Sequence, residues 1–498
     1  MLHRLGLALT LALFCMCAGG AERRYVELDT PELTLISAAG DPQTRQIALQ
    51  IGMFRAAVEQ ALGVTLSRAI PMRIYALSEQ DWKQYFQPRP GLSGYFLSNP
   101  FSSDLLFDSD DSTSGAYELM FHEYVHYILR TFWAGEVPAF LDEGLAEVLS
   151  TAQFHGGSVR LEPRLDYVQF LRDHEWLPFE RLLEVKRRDP EYVDHSLAPA
   201  FYAQAWATMY YAMAADPAFG ARVTAYLRDL NGGSSRLSAA ERLIGGASAG
   251  ANLDIARFIR RRERLPIAQI EISGSPAAGE QTLRWLNHDE STLALGELML
   301  RFGNRHEKAL DLFEQVSGRR PDDPRARIGI AWAYLQARDW SRATTLIDEA
   351  TEQPVADPAM AVALGRAIYQ LVSATIHGSD RPNPDQRRRL VRARALFDSA
   401  LNDKAARIEA ITGYVLTSLA LEEADESLIV LTQIAYRTAP GSSDLAVALA
   451  ILHELTGQKS AARKYWQEAA RNTQTGPMRA RIMNALQATG DNPQQPPR

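Results

Sequence analysis

The chain has 498 residues, of which 46% are hydrophobic and 23% are charged, and its net charge is −7 at neutral pH. This length exceeds what one ordinary hydrophobic core accommodates, so two or three domains are expected. The acidic balance, together with the lack of a basic stripe with interleaved aromatic residues, argues against a nucleic-acid partner.

Residues 1–21 have the pattern of a secretory signal peptide. Arg4 forms a short basic region, an apolar run follows, and small residues then offer a cleavage site. The run is short for a membrane span, although an uncleaved anchor remains an alternative. We therefore expect a periplasmic or secreted protein with no transmembrane segment after signal cleavage.

Both cysteines, Cys15 and Cys17, lie inside this leader. The mature chain would then contain no disulfide bond. Any metal ion must therefore be bound by His, Asp or Glu side chains.

Residues 22–110 mix the patterns of strands and helices and are predicted to be the N-terminal α/β part of a larger domain. Short apolar runs predict strands at 25–28, 33–36, 72–77, 94–97 and 105–107. Apolar residues at helical spacing predict a helix from Gln43 to Leu62. Ser78 has the character of a helix N-cap, and a short helix is expected from there through Tyr85.

Residues 111–262 are predicted to be mainly helical and to carry the metal motif described below. Residues 263–285 are weakly patterned, with Gly274, Pro276 and Gly279, and are predicted to be a linker. Residues 491–498 are predicted to be a disordered tail.

The region 286–490 is repetitive. A small–large–small triplet, typical of the second helix of a tetratricopeptide repeat, recurs at Ala309/Phe313/Val316, Ala343/Ile347/Ala350, Ala393/Phe397/Ala400, Leu428/Thr432/Ala435 and Ala462/Trp466/Ala469. The first two triplets and the last two are 34 residues apart, which is the period of this repeat. The longer middle interval contains an insertion at 378–384. The region resembles an array of about five tetratricopeptide repeats with a protein partner in its groove, and an unrelated helical bundle is the alternative.

The sequence His122-Glu123-Tyr124-Val125-His126 is an H-E-x-x-H motif. Two imidazoles four residues apart on a helix lie on one face and can bind one metal ion. A glutamate between them can take a proton from a metal-bound water. The helix expected over 117–130 carries the apolar residues of a buried helix, so these side chains need a polar partner, and a metal ion supplies one.

The segment from Pro138 to Glu147 reads P-A-F-L-D-E-G-L-A-E. It resembles the gluzincin metallopeptidases, in which an H-E-x-x-H helix is followed by W-L-N-E-G-x-A-E. The resemblance implies that His122 and His126 are zinc ligands, that Glu143 is the third protein ligand and that Glu123 is the general base. It also implies one Zn²⁺ per chain and an α+β fold, with a small mixed sheet beside the helical zinc-binding part.

Glu147 follows Glu143 by one helical turn. The resemblance implies that Glu147 accepts a hydrogen bond from the free N–H of one ligand histidine and thereby fixes its orientation. A surface carboxylate is the alternative.

Residues 201–206, F-Y-A-Q-A-W, resemble the Y-A-Q-S-W segment of the peptidase-MA-like group of gluzincins. This resemblance implies that Tyr202 stabilises the tetrahedral oxyanion. Alternatively, Tyr202, Trp206 and Tyr210 form an aromatic stripe at helical spacing that packs the core.

The chain also departs from better-known gluzincins. The interval from His126 to Glu143 is shorter than in aminopeptidase N-like enzymes, and their G-A-M-E-N motif is absent. The segment 94–97 could bind a substrate backbone as an edge strand but offers no acid for an N-terminal amine, so endopeptidase action is at least as well supported.

Other sets of metal ligands are less well supported by the sequence. The metzincin pattern does not fit, because Leu129 and Phe132 occupy the positions of its glycine and third histidine. His155, His174 and His195 are rival ligands that we expect in loops or on the surface.

The sequence therefore predicts an exported zinc metallopeptidase that acts on a peptide or protein substrate, with a repeat array that recruits a protein. A non-catalytic scaffold with a metal- or peptide-binding peptidase-like domain is the alternative. A zinc hydrolase of non-peptide amides would use the same ligands and stays open.

Overall fold

The computed structural model describes residues 24–30, 33–66, 72–86, 94–98, 103–109, 114–133, 137–215, 218–260, 265–272, 281–302, 305–352, 354–376, 381–403, 406–438, 440–473 and 476–488. The predicted signal peptide (1–21) and the predicted tail (491–498) lie outside these ranges. Within them, no helix has both the length and the apolar character needed to cross a bilayer.

Two sheets contain the nine strands found in the described residues. These strands are β1 (Val26–Asp29), β2 (Leu33–Ser37), β3 (Met72–Leu77), β4 (Gly94–Ser98), β5 (Ser103–Asp108), β6 (Ala152–His155), β7 (Ser158–Leu161), β8 (Ala268–Glu271) and β9 (Thr282–Trp285). A six-stranded mixed sheet has the order β4-β5-β3-β2-β1-β9, and a small antiparallel sheet has the order β6-β7-β8. The strands predicted between residues 25 and 107 are confirmed to within one or two residues.

The remainder of the N-terminal region is helical. Its helices are α1 (Gly40–Leu62), α2 (Glu79–Asp81), α3 (Ser114–Phe132), α4 (Ala139–Leu149), α5 (Leu165–Asp173), α6 (Phe179–Glu184), α7 (Pro190–Val193), α8 (Ala198–Ala215), α9 (Phe219–Asn231), α10 (Arg236–Ile244) and α11 (Ala251–Ile259). Ser78 caps α2 by accepting a hydrogen bond from the Asp81 N–H, and a π-helical turn (Trp82–Phe86) continues it.

The large sheet is buried on both faces, as the alternation of side chains along β3 shows. Met72, Ile74 and Ala76 lie in the core that the sheet shares with α1, α3 and α4. Tyr75 and Leu77 lie in a second core on the opposite face. The strand period of two residues therefore places the metal-motif helix on one side of the sheet and a different layer on the other.

That second layer is the beginning of the repeat region. Helices α12 (His288–Arg301), α13 (His306–Arg319), α14 (Pro324–Gln336), α15 (Trp340–Ala350), α16 (Pro358–Thr375), α17 (Pro384–Ala400), α18 (Arg407–Ala420), α19 (Glu426–Thr438), α20 (Ser443–Leu455), α21 (Lys459–Asn472) and α22 (Gly476–Ala488) follow one another. They form five helix pairs and a final single helix, so the prediction of about five units agrees with the described helices. Each small–large–small triplet lies on the second helix of its pair.

Two of the large residues in the triplets, Phe313 and Phe397, pack against glycines of neighbouring helices. The Phe313 ring of α13 lies where a side chain on Gly296 or Gly329 would stand, and the Phe397 ring of α17 has the same relation to Gly365 and Gly413. The insertion predicted at 378–384 falls between α16 and α17, and residues 377–380 lie outside the described ranges. These two helices have 18 and 17 residues, so the extra length of this repeat is partly helical.

The linker predicted at 263–285 needs correction. Residues 268–271 form β8, which pairs with β7, and residues 282–285 form β9, which pairs with β1. The chain thus returns to both sheets of the N-terminal region before it enters the repeats. Strands as short as four residues with few apolar side chains give a weak sequence pattern, which explains why they were not predicted.

The first helix pair is joined to the sheet by apolar packing and by polar contacts. Leu293, Leu298 and Phe313 share the second core with Tyr75 and Leu106 of the sheet. The Arg301 guanidinium of α12 lies 3.0 Å from the buried Asp104 carboxylate of β5. The N-terminal region and the first repeat are therefore one packed unit.

Candidate metal centre

Helices α3 and α4 bring the three predicted ligands together. The Nε2 atoms of His122 and His126 lie 3.0 Å apart, and each lies 3.4 Å from Oε2 of Glu143. Within the described residues, these three form a group whose ligand atoms all lie within 4.8 Å of one another. His126 and Glu143 are buried, whereas His122 is partly exposed.

The spacing of these atoms fits one tetrahedral zinc ion. Ligand atoms about 2.0–2.1 Å from zinc in tetrahedral arrangement lie roughly 3.3–3.4 Å from one another. The three observed separations are close to that value, and the donors are two imidazole nitrogens and one carboxylate oxygen, which is a known set for catalytic zinc. The residues present thus fit the metal that the sequence predicts.

Packing of α4 against α8 fixes the position of Glu143. A side chain on the adjacent Gly144 would lie 2.6 Å from the backbone oxygen of Ala205 and 2.6 Å from the Met209 side chain. Only glycine allows this approach, so the E-G pair in the motif sets the distance between α4 and α8.

Each ligand histidine has a carboxylate near its second nitrogen. His126 Nδ1 lies 2.7 Å from Oδ1 of Asp142, which is fully buried. His122 Nδ1 lies 3.6 Å from Oε1 of Glu147, which is also buried. Glu147 is therefore not a surface carboxylate. Its distance from His122 is longer than a hydrogen bond, so the orienting role that the resemblance implies stays a prediction.

Arginines contact the far oxygens of both carboxylates. Arg164 Nη1 lies 2.8 Å from Oε2 of Glu147. Arg187 Nη2 forms a close ion pair with Oδ2 of Asp142. Each ligand histidine is thus backed by a carboxylate, and each of these carboxylates by an arginine.

Two tyrosines lie on the Glu143 side of the centre. The Tyr192 hydroxyl donates a 2.5 Å hydrogen bond to Oε1 of Glu143. Tyr202 lies behind it, with ring centroids 5.8 Å apart. Burial raises the pKa of Tyr202, and the neighbouring Glu143 and Tyr192 raise it further, so its hydroxyl stays protonated.

All three residues of the aromatic-stripe alternative pack in or against the core. Trp206 and Tyr210 are buried and stacked, with centroids 5.2 Å apart. Tyr202 is only partly buried and turns toward Tyr192. The role of Tyr202 at an oxyanion stays a prediction.

Glu123 is partly exposed on α3. It follows His122 directly and precedes His126 by three residues, so its side chain leaves the helix beside the ligand face. The role of Glu123 as the general base stays a prediction.

The charges of the centre favour a bound cation. Burial lowers the pKa of His126, but the carboxylates of Asp142 and Glu143 raise it more, to about 10. Burial raises the pKa of Glu143, but the two histidines hold it well below its usual range. Buried carboxylates around two imidazoles are therefore stabilised by a positive charge, either a proton or a metal ion.

The rival histidines lie elsewhere. His155, His174 and His195 are all exposed, and His174 stacks on Phe170 with centroids 4.0 Å apart. None of them belongs to the metal-ligating group among the described residues.

Sequence reasoning did not identify Asp142, Arg164, Arg187 or Tyr192. One signal was present for the first of these. Helix α4 is buried along its whole length and contains three carboxylates, and buried carboxylates require partners. Arg187 and Tyr192 lie more than 40 residues further along the chain, and no spacing rule links them to α4.

Comparison with known proteins identifies the repeats. Residues 293–367, from α12 into α16, match the family model described as tetratricopeptide repeat. Residues 293–367 are therefore assigned to tetratricopeptide repeats, a class of solenoid that presents extended surfaces for protein interaction. No curated protein matches the chain.

The chain also has limited similarity to several solved structures. A thermophilic tetratricopeptide-repeat protein of Thermus thermophilus is 20% identical over 40% of this chain and 99% of its own, with a TM-score of 0.31. PilF of Pseudomonas aeruginosa is 15% identical over 40% of this chain and 84% of its own, with a TM-score of 0.31. Yeast Tom70 is 11% identical over 77% of this chain and 73% of its own, with a TM-score of 0.29.

Proposed function

We propose that the chain is an exported zinc-dependent metallopeptidase of gluzincin type, whose tetratricopeptide repeats recruit a protein. The observation that carries this proposal is the convergence of His122, His126 and Glu143 at the separations that tetrahedral zinc requires. Export rests on the leader sequence at 1–21 and on the location of both cysteines within it.

His122, His126 and Glu143 would hold one Zn²⁺ in this proposal. When bound, zinc supplies a Lewis acid that polarises a carbonyl and lowers the pKa of water. Glu123 accepts the proton of the attacking water and delivers it to the leaving amine. Tyr202, which stays protonated and lies next to Tyr192 on the Glu143 side of the centre, is the candidate donor to the oxyanion.

Strand β4 supports a peptide as the substrate. It ends the six-stranded sheet and pairs only with β5 among the described strands. Its Phe96 ring lies 6.5 Å from the ring of Tyr127 on α3, so the strand runs beside the metal-motif helix. A peptide that pairs with the free edge of β4 would pass along the centre as an extended chain.

The repeat array would bring the substrate protein or a regulator to this region. Its first helix pair is packed on the back of the sheet, and the Phe302 ring lies 5.9 Å from that of Tyr95 on β4. A protein bound by the array is thereby held at a fixed place relative to the proposed substrate strand.

The experiment that tests this function is hydrolysis of casein and of quenched fluorescent peptides by the mature chain and by Glu123→Gln. We expect the wild type to cleave and the variant to retain zinc but lose at least ~100-fold in rate, because the general base is gone. Equal cleavage by both proteins would refute the role of Glu123. Cleavage that survives removal of zinc would refute the metallopeptidase.

A non-catalytic scaffold is the second candidate. The observation that favours it is that the family match is confined to the repeats. In this case the N-terminal region binds a metal or a peptide without turnover. Stable zinc binding without cleavage of any member of a diverse peptide library would support the scaffold and exclude the peptidase.

A further inference from the structure

One short segment contacts one of the three proposed ligands directly and a second one through Asp142. Residues 186–192, here called the brace segment, follow α6 and end in α7. From this segment Arg187 reaches Asp142, whose other oxygen lies 2.7 Å from Nδ1 of His126. Tyr192 donates its 2.5 Å hydrogen bond directly to Glu143.

The brace segment is itself fixed by charged contacts. Arg181 of α6 donates to Glu191 at 2.6 and 2.8 Å and to Asp189 at 3.0 Å. Asp189 also accepts a 3.1 Å hydrogen bond from the backbone N–H of Lys186. The loop between α6 and α7 therefore has a defined shape on both sides of Arg187.

Water cannot easily take the place of Arg187 or Tyr192, because the two carboxylates that they contact are buried. The Asp142 side chain is fully buried and that of Glu143 is 2% exposed. A buried carboxylate that loses its cationic or hydrogen-bonding partner is costly and moves toward another partner. Any such movement would carry the His126 ring or the Glu143 carboxylate away from its present direction.

We propose that the brace segment is a positioning element of the metal centre, in which Arg187 orients His126 through Asp142 and Tyr192 orients Glu143. Neither residue belongs to the H-E-x-x-H motif or to the motif of α4. The proposal rests on the proposed zinc site and adds the requirement that ligand geometry depends on a loop outside both motif helices. Contacts of this kind commonly alter metal affinity by about 10–100-fold.

The test is zinc affinity, measured by competition with a chromophoric chelator on the full mature chain. We expect Arg187→Gln and Tyr192→Phe each to weaken zinc binding about 10-fold or more. Arg187→Lys should recover part of the loss, since a lysine can still place a charge at Asp142. Arg188→Gln is the matched control, because Arg188 is the next residue and is exposed, and it should bind zinc like the wild type.

A second readout separates positioning from general destabilisation. With Co²⁺ in place of zinc, the visible absorption bands of Arg187→Gln and Tyr192→Phe should shift, whereas those of Arg188→Gln should not. Melting temperatures of the zinc-free proteins show whether each variant is folded. Wild-type affinity and unchanged cobalt spectra in both variants would overturn the brace while leaving the proposed function intact. A wild type that binds no zinc would overturn both.

Discussion

The candidate metal centre buries charged side chains, whereas the repeat array buries apolar ones. In the centre, one short helix buries Asp142, Glu143 and Glu147, and each carboxylate is satisfied by a partner from another element. In the array, triplets of small and large residues recur on every second helix, and the rings of Phe313 and Phe397 pack against glycines of the neighbouring helices. The centre therefore depends on individual polar contacts, whereas the array depends on shape that is repeated along the chain.

This difference predicts how each region responds to the substitution of a single side chain. A polar network loses its function when one partner is removed, because the remaining group is left buried and charged. A solenoid distributes its stability over neighbouring units, so damage is felt mainly by the repeat concerned and its neighbours.

The largest expected effect is that of zinc removal. Zinc at about 1,000 times its dissociation constant should stabilise the folded chain by about 4 kcal/mol. Hydrogen exchange with and without a chelator would locate the effect, and we expect faster exchange in α3 and α4 but not in α20 and α21. Equal loss of protection in both regions would show that zinc stabilises the repeat array as much as the metal centre and would contradict this prediction.

The next effect concerns the junction of the two regions. Arg301→Gln removes one cationic partner of buried Asp104, which lies 3.0 Å away, and we expect a loss of about 1–3 kcal/mol in the free energy of unfolding. Urea denaturation measures it. Arg320→Gln is the control, since that side chain is 54% exposed, and its expected effect is within about 0.5 kcal/mol. A small effect of Arg301→Gln would mean that apolar packing alone joins the array to the sheet.

The same substitution can be made in both regions. Gly144→Ala places a methyl group against the backbone of α8, and Gly413→Ala places one in the Phe397 ring, so each should cost about 1–3 kcal/mol. Only Gly144→Ala should also weaken zinc binding, because it displaces Glu143. Calorimetry and zinc titration measure the two effects, and reduced zinc affinity in Gly413→Ala would contradict the comparison.

Two glycines serve as controls for this pair. Gly157 in the β6–β7 turn and Gly318 in α13 have nothing within 4 Å of an added methyl group. Gly157→Ala and Gly318→Ala should leave both stability and zinc binding close to those of the wild type.

The smallest expected effect is on zinc affinity, when the carboxylate beside His122 or the one beside His126 is replaced by its amide. Glu147→Gln should lower zinc affinity by no more than about 10-fold, because its carboxylate lies 3.6 Å from His122. Asp142→Asn should lower it further, since that contact is 2.7 Å. Zinc affinities from chelator competition test this order. A larger loss in Glu147→Gln than in Asp142→Asn would contradict it and would show that the shorter contact is not the more important one.

The sequence predicted what local periodicity and motif spacing determine. The strands β1 to β5, the helices α1, α3 and α4, and all five repeat triplets follow from patterns within a few residues. The proposed ligands His122, His126 and Glu143 follow from a motif, and the structure brings them together.

The remaining features depend on contacts between distant segments. Strands β8 and β9 are short and owe their place to β7 and β1. Arg187 and Tyr192 meet α4 only because α6 and α7 fold across it. Packing of the first repeat on the sheet likewise joins residues far apart in the chain, for which a single sequence carries no signal.

The most direct test of the central claim is the zinc content of the purified mature chain after dialysis, measured beside His126→Ala. We predict one zinc ion per wild-type chain and none in the variant, because two of three protein ligands do not retain a tetrahedral ion through dialysis. A wild type without zinc after exposure to it, or a variant that keeps the full amount, would show that His122, His126 and Glu143 are not a zinc site.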